Sequence, residues 1–164
     1  TTPATPTIVP TPTAEPAKAQ SSDYETFAEC FTKWYGIAQP QMPSLAGVDL
    51  VGAEFLPDGD GTMWLTIGFV GTTEDDETAS DYYMLGVVTG LIKAVIDEGY
   101  QLEHEPFGVM VIFFTNPVER EARCGAIAEW SAMVDFANGE ITPEDLIYHW
   151  IYPVLPESSE QGSL

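Results

Sequence analysis

The sequence predicts an α+β domain with helices packed on a four-stranded, largely antiparallel sheet, in the order α-β-β-α-β-β-α-α. Three observations carry that expectation. Met63, Leu65, Ile67 and Phe69 alternate with Trp64, Thr66, Gly68 and Val70, the period-two signature of a strand. Residues 107–115 (FGVMVIFFT) form an almost continuous apolar run of strand length. Between them, residues 80–98 open on Ser80 and close before Gly99, with too few breaks for anything but a helix.

Taken in order, the chain begins with a segment that joins no core. Residues 1–21 are dominated by Thr, Pro and Ala, and proline removes backbone donors and favours extended polyproline II. We read this segment as a tail or stalk of the kind found in exported proteins. The chain opens on Thr1 rather than Met, which leads us to expect a processed product. One apolar island, Ile8-Val9, interrupts the tail and is the candidate assembly element: an extended segment of this kind can add to the sheet edge of a neighbouring copy.

The domain is expected over residues 22–156. Ser22 or Asp23 caps a helix to about Tyr35, with Tyr24, Phe27, Phe31 and Trp34 on one stripe and Gly36 as its stop. Residues 47–56 read as a strand, joined to residues 63–70 by Pro57-Asp58-Gly59-Asp60-Gly61, which is turn chemistry. An acidic loop, Glu74-Asp75-Asp76-Glu77, precedes the helix over 80–98. Gly86, Gly90 and Ala94 recur every fourth residue there, which we read as a smooth face lying close to a sheet. The run 107–115 suits a central strand covered on both faces. A strand from about Glu119 to Trp130 returns antiparallel to it, with Cys124, Ala126, Ala128 and Trp130 facing the core. Ser131 opens a short helix to Ala137, and Thr142-Pro143 opens a last one carrying Leu146, Ile147, Trp150 and Ile151 before Pro153. Residues 157–164 read as a polar end. The order of elements resembles that of several small α+β families, secretion-chaperone-like folds among them; a likeness of order implies no activity.

Charge narrows the function classes. The 164 residues hold 26 Asp+Glu against 5 Lys+Arg, a formal net charge of −21. Phosphate backbones require clustered cations, so nucleic acid is excluded as a partner, and an anionic membrane surface would repel the chain. No apolar run is long enough to span a bilayer. Salt screening relieves self-repulsion at this charge, so a saline habitat fits the composition as well as a soluble exported surface does.

Candidate chemistry is sparse. Cys30 and Cys124 both lie on core-facing positions, and with the stalk they lead us to expect a disulfide between them. No G-x-S-x-G elbow, P-loop or dinucleotide fingerprint occurs. His104, between Glu103 and Glu105, reads as an exposed loop residue, and His149 lacks a second histidine at ligand spacing. Asp58 and Asp60, with Asp75 and Asp76, are the candidate cation ligands, although the EF-hand pattern is absent. We therefore expect no enzyme and no firm metal or cofactor. The expected function is a non-enzymatic extracytoplasmic surface or structural module, secreted or cell-surface tethered, with a homo-polymer or another surface protein as its partner. The alternative is an acidic ligand- or calcium-binding domain of a cell-envelope protein.

Overall fold

The computed structural model describes residues 23–72, 80–116, 118 and 121–154. Helix α1 spans Tyr24–Ala38, strands β1 and β2 span Asp49–Pro57 and Met63–Val70, and helix α2 spans Asp81–Asp97. Strands β3 (Gly108–Asn116) and β4 (Glu121–Glu129) follow, then helices α3 (Trp130–Ala137) and α4 (Pro143–Leu146), and strand β5 (Ile151–Val154). The fold is α+β, as expected, but the sheet has five strands in the order β1-β2-β3-β4-β5 and is mixed. The central pair β2 and β3 is parallel, whereas β1/β2, β3/β4 and β4/β5 are antiparallel. The parallel pair has a simple cause. Helix α2 carries the chain back along the sheet, so β3 starts at the same end as β2.

The ends of α1 show where local signals lose to packing. Asp23 caps it, its side chain accepting from the Thr26 N–H. Gly36 does not stop it, and the helix continues to Ala38. A glycine costs about 1 kcal/mol in a helix interior, and the ring of Tyr35 offsets this by burying in the core while its hydroxyl donates to the Val48 carbonyl at 2.5 Å. Helix α3 begins one residue before the expected cap, at Trp130, with Glu129 in the cap position and no side-chain cap bond. The last helix is shorter than expected: α4 and a single 3₁₀ turn (Ile147–His149) give way to β5, so Ile151 lies in a strand.

All the helices cover one face of the sheet. Leu65, Ile67, Phe69, Val109, Val111, Phe113, Cys124, Ala126 and Ala128 point into a single core with Phe27, Phe31, Met84, Val88, Ile92, Trp130 and Met133. Each large side chain so buried contributes about 1.5–3 kcal/mol. Gly86 and Gly90 are turned away from it and exposed, so the small-residue row of α2 does not face the sheet.

The opposite face is not covered by any described element. Strand register places Leu56, Trp64, Gly108 and Glu129 in one row across it, and Glu54, Thr66, Met110, Ile127 and Ile151 in the next. Ile112 follows in a third row, flanked by Gly68 and Gly125. Among the described residues the run 107–115 is therefore covered on one face only, and Met110, Ile112 and Phe114 on the other are partly exposed. Phe114 lies over Gly68, where a Cβ would meet its ring at 2.8 Å.

Candidate functional site

Among the described residues, the free margin of β1 lies beside open space, and an ion pair at the start of α2 gathers polar groups. β1 is nine residues long and, among the described residues, hydrogen-bonds to β2 on one side only. About half its residues therefore turn N–H and C=O outward. Beside that margin runs a groove of about 680 Å³ between α1 and β1. Ala28, Gly52 and Ala53 leave it open because they are small, Glu25 and Glu29 line it with acid, and Tyr24 and Phe55 stack at 4.4 Å. The Tyr24 hydroxyl, its pKa raised by burial, donates to the His104 carbonyl at 2.7 Å. The other margin differs. β5 has four residues and contains Pro153, which has no N–H to offer.

The ion pair arises from a bulge. Phe113 pairs with Cys124 and Phe114 with Ala122, leaving Arg123 as an extra residue. Strict alternation would turn Arg123 away from Cys124; the bulge aims it at α2 instead. There its guanidinium grips Asp81 through two bonds, Nη1 to Oδ2 at 2.6 Å and Nη2 to Oδ1 at 2.8 Å. Thr72 Oγ1 donates to Oδ1 at 2.5 Å, and the Tyr152 hydroxyl donates to Oδ2 at 3.1 Å. The Cys124 thiol also points at Oδ2, at 3.5 Å. Asp81 is 6% exposed and stands in the first turn of α2, where the helix dipole favours a negative charge. Burial pushes its pKa up, but the bonds from Arg123, Thr72 and Tyr152 outweigh that and hold the carboxyl below its ordinary range. Burial and the neighbouring carboxylate push the Tyr152 hydroxyl up to about 12 and raise the Cys124 thiol as well. A carboxylate with both oxygens occupied is a poor base, and a thiol with a raised pKa is a poor nucleophile. The cluster ties β4 and β5 to the start of α2, and that is the work its geometry suits.

The expected Cys30–Cys124 disulfide is not formed: both cysteines are buried free thiols. Cys30 Sγ donates to Glu98 Oε1 at 3.1 Å, just past the C-terminal end of α2, whereas Cys124 meets Asp81 at its N-terminal end. Those two acidic residues stand about 25 Å apart along the helix, far beyond the span of a disulfide. The Cys30 thiol is pushed up to about 11, by burial first and by Glu98 second.

Of the candidate cation ligands, Asp58 is absorbed by its turn. Its Oδ1 accepts from the Asp60 and Thr62 amides at 2.8 and 3.0 Å, and Oδ2 accepts from Trp64 Nε1 at 3.0 Å. These bonds hold its carboxyl below the ordinary range, the one from Trp64 most of all. Asp60 is exposed in the same turn. Asp75 and Asp76 lie outside the described residues, as do Ile8 and Val9. Among the described residues no group of three His, Cys, Asp or Glu side chains is placed to hold a metal ion. His104 and His149 are both exposed.

Sequence reasoning missed Asp81 and Arg123. One signal was legible: Arg123 is a lone cation beside a core-facing cysteine in an apolar strand. Its partner stands 42 residues away, and nothing local to either residue announces the pair. Comparison with protein-family models, with curated proteins and with solved structures returns no match. No described helix is long and apolar enough to cross a membrane, and nothing in the chain points to nucleic acid.

Proposed function

We propose that this chain is a non-enzymatic assembly module of an extracytoplasmic surface or structural protein, which accepts an extended segment at the free margin of β1. The observation that supports it is the nine-residue edge strand lying beside an open groove. Strand addition draws affinity from main-chain hydrogen bonds and specificity from side chains set in a neighbouring groove, and β1 offers both. Glu54 and the register shift between Leu50 and Gly52 discourage indiscriminate pairing, as edge charges and bulges do elsewhere.

The segment we assign to that margin is the apolar island Ile8-Val9 of another copy. α1 begins at Tyr24, whose ring stacks on Phe55 at the groove. A head-to-tail contact of this kind does not close on itself and propagates into a filament. The Thr/Pro-rich composition of residues 1–21 is what supports an extracytoplasmic setting, since the free cysteines lend it no support.

The test is negative-stain microscopy with light scattering on the chain with and without residues 1–20, and on Ile8→Ser/Val9→Ser. Filaments or large oligomers that vanish in both altered chains are the expected result. A monodisperse monomer in every form would overturn assembly through the tail.

A further inference from the structure

We infer that the uncovered face of the sheet is a docking surface for a cationic amphipathic segment of a partner protein. This uses the face of the sheet and not the margin of β1, so it stands or falls independently of strand addition.

The first observation is what the face is made of. A strand with one face in water ordinarily alternates apolar inward and polar outward. Here the outward rows carry Leu56, Trp64, Met110, Ile112, Phe114 and Ile127, and none of these belongs to the core cluster or packs against it. Leu56 is 42% exposed, and beside these residues Phe107 is 54% and Ile151 60% exposed. Phe107 meets Trp64 edge to face at 5.2 Å, so one end of the patch is a pair of partly exposed aromatic rings. Contiguous apolar surface of this kind on a water-exposed face marks an interaction site.

The second observation is charge, and it selects the occupant. Glu54 and Glu129 stand on the face in register with Thr66 and Gly108, Asp49 stands in register with Val70, and Asp58 holds the Trp64 indole from the rim. Every described cation lies on the helix side in an ion pair: Lys33 with Glu98, Lys93 with Asp97 and Arg123 with Asp81. Among the described residues the face is thus apolar at its centre and acidic at its border. A second copy would set acid against acid. A segment with an apolar stripe flanked by Lys or Arg matches both the centre and the border.

The experiment labels the isoleucine methyl groups and titrates the full chain with a helical peptide bearing Leu on one side and Lys on the other. Expected are shifts at Ile112, Ile127 and Ile151, with Ile67 and Ile92 on the helix side unmoved. Ile127→Thr/Ile151→Thr, a strand-compatible pair of changes, should weaken binding about ten-fold while leaving the Ile67 and Ile92 signals in place. A peptide with Glu replacing Lys should not bind. Equal affinity of both chain forms, equal binding of a scrambled Leu/Lys peptide, or shifts spread over the helices would overturn the inference and reduce the effect to the chain's net charge. Concentration-dependent shifts at Ile112 without peptide would overturn it in favour of a second copy.

Discussion

Replacing Arg123 with Met tests the reading of the buried cluster. The substitution keeps an unbranched apolar stem but removes the guanidinium, which lies 5.8 Å over the Phe113 ring, so the measured loss includes that contact. It removes the only cation bonded to Asp81 among the described residues. Breaking a fully buried ion pair from one side costs about 3–5 kcal/mol. Arg123 is 36% exposed, so solvent screens part of the pair, and Thr72, Tyr152 and Cys124 still face the carboxylate. We therefore expect a loss of about 2–3 kcal/mol at pH 7, which is roughly 6–10 °C in Tm for a domain of this size.

The pH dependence is the sharper readout. With Arg123 present, the Asp81 carboxyl lies below its ordinary range, so the unfolded chain binds the extra proton. That contribution is present above the unfolded pKa of about 3.9 and is lost as pH falls through the folded value. In Arg123→Met the desolvation of Asp81 is no longer outweighed, its folded pKa rises above the ordinary range, and the sign inverts. The variant should then lose stability as pH rises. The assay is urea unfolding of both forms between pH 8 and 5, above the sequence pI of about 4.1. A gap between the two forms that widens toward pH 8 is expected. A gap independent of pH, or one under about 0.5 kcal/mol, would refute the ion-pair account.

Two further outcomes follow from single contacts. Because burial raises the pKa of both thiols, neither Cys30 nor Cys124 should react with a thiol reagent in the native chain over minutes, and both should react in denaturant; reductant should leave Tm unchanged. Gly108→Ala should destabilise by about 3 kcal/mol or more in urea unfolding, because its Cβ would stand 2.3 Å from the Ala128 carbonyl oxygen and 2.9 Å from the Trp64 ring; a change near zero would mean that β3 and β4 are not in this register.

What the sequence by itself determined is local. Period two in residues 63–70, the Asp58 turn, Ser80 and Thr142 as caps, and Gly99 as the stop of α2 were all readable, because each depends on neighbours within a few residues. Gly86 and Gly90 were equally visible, yet which side of α2 they would take was not. Only the tertiary structure decided the parallel pairing of β2 and β3, since two strands bond according to where a helix returns the chain. It alone decided that Cys30 and Cys124 stand at opposite ends of α2, although both are apolar-facing in sequence. It also decided that the described helices cover the run 107–115 on one face and leave the other uncovered. A continuous apolar strand is the pattern of burial on both faces, and sequence cannot say whether the second cover is supplied by the same chain or by a partner.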